Sequence, residues 1–115
     1  MSHTIDLATL VDKLDRAEQL TPYQVRHLLV EFSKSGSLSF EADMKYDLDR
    51  LGVTTRHLTR VLSAPVVERA EVNKWGECSA IVAKELTGLG TVVVKVTILA
   101  AAGRIIVKAV SREER

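Results

Sequence analysis

The chain has 115 residues and a mass of 12.7 kDa, 46% of it hydrophobic and 27% charged, which suits one globular domain with a modest core. Sixteen Lys and Arg against fifteen Asp and Glu leave a net charge of +1, so no global field draws nucleic acid and any such site has to be local. No apolar run approaches a membrane span, the opening MSHTIDLATL has neither the basic nor the apolar region of a signal peptide, and the lone Cys78 excludes a disulfide framework or a Cys-rich zinc site.

The expectation is a soluble, cytoplasmic, single domain over residues 1–115, helical over about 4–64 and sheet-forming over about 66–112. A first helix is expected at about 4–19, with Leu7, Leu10, Val11 and Leu14 as its apolar stripe. Thr21-Pro22-Tyr23-Gln24 reads as a capping box with Pro at the first helical position. The helix it opens buries Val25, Leu28, Leu29 and Phe32 and stops at Ser35-Gly36. A third helix, about 41–51, offers Met44, Leu48 and Leu51 and ends at Gly52. Thr54 or Thr55 caps a fourth, with Leu58, Val61 and Leu62 inward, closed by Ala64-Pro65.

Beyond Pro65 the pattern turns to β-branched runs, giving strands at about 66–72, 78–86, 91–99 and 104–110. Short Gly-containing turns between them predict a four-stranded antiparallel meander under the helices, an α+β architecture. Residues 1–60 carry 8 basic and 9 acidic side chains and residues 61–115 carry 8 and 6, so the positive excess falls on the sheet half.

Alternation sets Val92, Val94, Val96 and Ile98 inward and Thr91, Val93, Lys95 and Thr97 outward. In the last strand it sets Ile105, Val107 and Ala109 inward and Arg104, Ile106, Lys108 and Val110 outward. Symmetric turns at 87–90 and 100–103 would then place Lys84 beside Val93, Lys95 opposite Lys108, and Arg104 at the sheet end. Like charges facing each other across strands are unfavourable. Their gathering on one face points to an anion site with phosphate as its ligand, or else to lysines that guard an exposed sheet against aggregation.

Other chemistries find little support. No phosphate loop is present, and His3, His27 and His57 lack metal-ligand spacing. Cys78 reads as a small packing residue, and Asp43, Asp47 and Asp49 as a solvated helix face. Trp75, beside Lys74 and Gly76 in a turn, either caps the end of the core or stacks on a base. A His-poor sheet does suit RNA cleavage through the neighbouring 2′-hydroxyl, because cations can hold the phosphate while one side chain moves the proton. Arg69, Lys84, Lys95, Arg104 and Lys108 are the cations. Alternation puts Val67, Arg69 and Glu71 on one side of their strand, Glu71 being a candidate proton acceptor and a surface Arg69–Glu71 or Arg69–Glu68 pair the plainer reading. Tyr23 and Tyr46 both belong to the helices.

The order of Tyr23-Gln24-Val25-Arg26, Leu51-Gly52-Val53 and Thr91-Val92-Val93-Val94-Lys95-Val96-Thr97-Ile98 resembles the MqsR family of toxin–antitoxin ribonucleases, related to RelE, over roughly residues 21–112. The resemblance implies a small α+β fold with a twisted antiparallel sheet, RNA as substrate and a protein antitoxin as partner, with no metal or cofactor. Arg69 stands where the family has its first catalytic lysine, Ala80 near its glutamine and Val93 at its tyrosine. Lys108 and Arg112 flank the place of its C-terminal lysine, and Lys95 matches a strand lysine. The sequence thus assigns catalysis to Arg69, Lys95, Lys108 and Glu71 and RNA binding to Lys84, Arg104, Lys74, Trp75 and Arg112. The alternative is a non-catalytic protein- or nucleic-acid-binding regulator, of plasmid or phage origin, on the same fold.

Overall fold

The computed structural model describes residues 7–34, 38–99 and 102–113. Their elements are α1 (Leu7–Asp15), α2 (Pro22–Lys34), β1 (Leu38–Phe40), α3 (Met44–Leu51), α4 (Thr55–Ser63), β2 (Val66–Val72), β3 (Cys78–Leu86), β4 (Gly90–Leu99) and β5 (Arg104–Glu113). The expected α+β class is present.

Local chemistry sets most boundaries. The Gln24 N–H donates to Thr21 Oγ1 at 3.2 Å and the Thr21 N–H to Gln24 Oε1 at 2.9 Å, the reciprocal bonds of a capping box. Thr54 rather than Thr55 caps α4, and its box closes through a histidine: the Thr54 N–H donates to His57 Nδ1 at 3.0 Å. The chain leaves α3 through Gly52, whose φ of 71° favours glycine.

α1 stops at Asp15, four residues before the expected end. Ala17 takes the left-handed conformation that glycine usually supplies there, with φ 55°. Its N–H donates to the Leu14 carbonyl at 2.9 Å and the Glu18 N–H to the Lys13 carbonyl at 2.9 Å, a Schellman closure without a glycine to announce it. The start expected at residues 4–6, the stop at Ser35-Gly36, part of the 100–103 turn, and His3 lie outside the described residues.

β2 to β5 form the antiparallel meander, but the sheet has a fifth strand and is mixed, in the order β1-β5-β4-β3-β2. β1 runs parallel to β5, pairing Leu38 with Ile105 and Phe40 with Val107. Three residues are too few for alternation to register in a sequence, so the pairing surface of β5 decides this strand. The Glu41 N–H continues the ladder to the Val107 carbonyl at 3.1 Å.

The inward face of the sheet carries Val82, Val94, Val96, Ile98, Ile105 and Val107, which share one fully buried core with Leu10, Leu14, Leu28, Leu29, Leu58 and Leu62 of the helices. At the outer edge, the Gln19 side-chain amide donates to the Val72 carbonyl at 2.7 Å and accepts from the Val72 N–H at 2.9 Å. It stands in for a neighbouring strand at the end of an otherwise open edge.

Candidate functional site

Three irregularities of pairing decide which side chains share the outward face. The β3–β4 loop has three residues, 87–89, with Leu86 paired to Gly90, whereas a symmetric turn over 87–90 requires four. The difference of one residue turns Lys84 to the inward face, opposite Val92, and away from Lys95. Between β4 and β5 the register shifts at Lys95 and Val96, so that Lys95 faces Ala109 and Lys108 of β5 is the unpaired residue of a bulge. The Lys95–Lys108 pair expected from alternation does not form. The same bulge brings Ala109 and Ser111 outward and turns Val110 inward, where it packs against the core. In β2 a shift between Val67 and Arg69 turns Val67 inward while Arg69 and Glu71 stay outward.

What remains outward is ordered in rows across the strands. Arg69, Ile81, Lys95 and Ala109 make one row, and Glu71, Ser79, Thr97 and Ile106 the next. Arg69 and Lys95 are exposed, and no ion pair joins either of them, or Glu71, to another described residue. The plainer Arg69–Glu71 and Arg69–Glu68 pairings are therefore not made. The two cations stand two strands apart, roughly 10 Å, at the rim of a concavity of about 460 Å³ lined also by Glu71, Ser79 and Ile81. A smaller hollow of about 140 Å³ adjoins it over Val93, Lys95, Ala109 and Ser111. Side chains of this length, on the strands either side of β3, can reach a common anion over Ile81. Ser79 was not among the residues singled out from the sequence; a three-residue loop at 87–89 is the feature that would have brought it into the row.

The other candidates scatter. Lys108 pairs with Glu41 and Arg104 donates to Ser39 Oγ, so both tie β5 to β1 and its continuation. Arg112 turns inward: its Nε donates to the Leu89 carbonyl at 2.8 Å and its Nη1 to the Leu51 carbonyl at 2.6 Å. That guanidinium joins the β3–β4 hairpin to the end of α3, a structural task. Trp75 does not cap the core, for it is 74% exposed, with Lys74 Nζ 4.7 Å from its ring centroid. Among the described residues no cluster of His, Cys, Asp and Glu could hold a metal ion, and no helix is long and apolar enough to cross a membrane.

Cys78 is fully buried, as a packing residue should be, and burial pushes its thiol from the ordinary 9.0 up to about 11. The raised value favours the neutral thiol in the fold. Its contribution to stability is complete below pH 9 and is lost as pH rises towards 11, by roughly 2–3 kcal/mol in all. Urea midpoints of wild type and Cys78→Ala should therefore converge between pH 8 and pH 10.5, and iodoacetamide should label the native thiol only at the rate of unfolding.

The chain matches no protein-family model, and no curated protein is significantly similar to it. Function has to be argued from the residues of the outward face.

Proposed function

We propose that this protein binds single-stranded RNA on the outward face of its sheet, as an MqsR-like, RelE-related toxin that acts in the cytoplasm and is neutralised by an antitoxin partner. The observation that supports the reading is the pair Arg69 and Lys95, two exposed cations without ion-pair partners among the described residues, beside one concavity. A guanidinium grips two oxygens of a phosphodiester and an ammonium adds a point charge, while the Ser79 hydroxyl offers a further donor. Cleavage at that phosphate would use Glu71 to take the proton of the 2′-hydroxyl. The 2′-oxygen then attacks the adjacent phosphorus, the bond to the 5′-oxygen breaks, and Lys95 returns a proton to the leaving oxygen, while Arg69 stabilises the pentacoordinate charge. Lys108, held by Glu41, stays outside this set.

One feature favours the second reading, a module that binds without cutting. The strand positions of this outward face hold no His, Tyr or Cys among the described residues, and Glu71 is the one carboxylate that lines the concavity with the two cations. Glu71→Gln separates the two: a toxin loses growth arrest and RNA cleavage but keeps its affinity, and a binding module has neither activity to lose.

The binding itself is tested by the double variant Arg69→Ala/Lys95→Ala. Its affinity for single-stranded RNA should fall roughly 10- to 100-fold, and the slope of log K against log salt should shrink by about 1.4, two contacts at about 0.7 each. Its melting temperature should hold, since both side chains are exposed and neither is in an ion pair among the described residues. Equal affinity of wild type and double variant at low salt would overturn the reading.

A further inference from the structure

The geometry points to Trp75 as a stacking platform for an unpaired nucleobase of the strand whose phosphate Arg69 and Lys95 hold, an inference that rests on the RNA-binding reading above. Trp75 is the only tryptophan of the chain, and its ring is 74% exposed. Its loop, 73–77, is held from within. Asn73 Oδ1 accepts from the N–H groups of Trp75 and Glu77, both at 3.0 Å, and Asn73 Nδ2 donates to Glu77 Oε1 at 2.9 Å. The Gly76 N–H closes on the Asn73 carbonyl at 3.0 Å. Gly76 also lies against the end of α1, with φ 79° and no room for a side chain beside Leu14. The backbone that carries the indole is thus fixed before any ligand arrives, which lowers the entropy lost on binding.

The surroundings of the ring select the ligand. Lys74 Nζ sits over the ring at 4.7 Å, a cation–π contact that occupies one face and leaves the other for a flat partner. The loop around it consists of Asn73, Lys74, Gly76 and Glu77, without the apolar rim that shields an aromatic anchor in protein interfaces. Base stacking needs no such rim, and every base offers a π-face. The loop also lies close to the concavity along the sheet. Glu77 and Asn73 follow directly on the Val72–Cys78 pair, one row beyond Glu71 and Ser79, and the Leu99–Arg104 pair is at the same end. Arg69 is three residues from the end of β2, about 10 Å along the strand, so a few nucleotides of one strand reach both the concavity and the indole.

Trp75 reports on its own occupancy, because no second tryptophan contributes to the signal. The full chain is titrated with a single-stranded RNA of about eight nucleotides, with an abasic ribose-phosphate oligomer of equal length, and with the RNA duplex. Single-stranded RNA should quench Trp75, and the abasic oligomer should bind by charge without quenching. Trp75→Ala should weaken RNA binding roughly tenfold or more with an unchanged salt slope, and Trp75→Phe should restore most of it. The salt slope separates this site from Arg69 and Lys95, whose loss lowers it. If Trp75→Ala binds RNA as wild type does while the slope still depends on Arg69 and Lys95, the base platform is wrong, RNA binding stands, and the indole belongs to a protein partner. If wild type binds no RNA at low salt, both proposals fall.

Discussion

Gly76→Val should lower the stability of the fold by about 3–5 kcal/mol. Two costs add. The backbone at this position has φ 79°, which β-branched residues avoid, and a Cβ there would lie 2.2 Å from the carbonyl oxygen of Leu14. Backbone is on both sides of the clash, so no side-chain rotation relieves it, and the loop has to lift from the end of α1. Gly88 supplies the control. Its φ of 84° is equally demanding, but a Cβ there meets nothing within 4 Å, so Gly88→Val bears the conformational cost alone. Urea midpoints should rank wild type, Gly88→Val and Gly76→Val in that order. Equal losses in the two variants would remove the contact with α1 from the account. The Trp75 emission of Gly76→Val should also change, because the indole rides on the loop that is displaced.

Arg112→Ala should cost about 2–4 kcal/mol while leaving RNA affinity, measured on the folded fraction, as in wild type. The guanidinium donates to the carbonyls of Leu89 and Leu51, and hydrogen bonds from a charged donor contribute more than neutral ones. Removing it leaves two carbonyls of separate elements without this donor and opens space beside Gly52, whose Cβ position lies 3.6 Å from Arg112 Nη1. A drop in melting temperature of roughly 8–15 °C follows for a chain of this size. Arg112→Lys should recover only part of it, since an ammonium cannot reproduce the fork that spans two carbonyls. An Arg112→Ala variant that melts like wild type but loses RNA would return this residue to the binding face assigned to it from the sequence.

The contrast between Arg112 and Lys95 shows where reading a sequence succeeds. Both are basic residues on strands of the same sheet, and composition does not separate them. Lys95 sits in the alternating run from Thr91 to Ile98, where four inward residues of one apolar type settle its side. Arg112 comes after an irregularity that no alternation reveals, the bulge at Lys108, so its side is opposite to the one that counting from Arg104 assigns. The candidate site inherited the same limits. Arg69, Glu71 and Lys95 come together on one face as expected, whereas Lys84 and Arg112 leave it through changes of one residue in register and Lys108, the unpaired residue of a bulge, is held by Glu41.

The sequence by itself determined what nearest neighbours in the chain decide. Thr21 with Gln24 started α2, Gly52 ended α3, and the β-branched runs after Pro65 marked the four strands of the meander. These signals are local because caps, turns and alternation are satisfied within a few residues. Only the tertiary structure decided the rest. β1 exists because β5 offers it an edge, Ala17 turns left-handed because Gln19 and Leu20 have to reach β2 and the core, and the outward row of Arg69 and Lys95 depends on a loop of three residues where four were expected. Strand side chains have a period of two, so one residue of register exchanges the faces of a strand, and the packing of the whole core selects between registers that look alike along the chain.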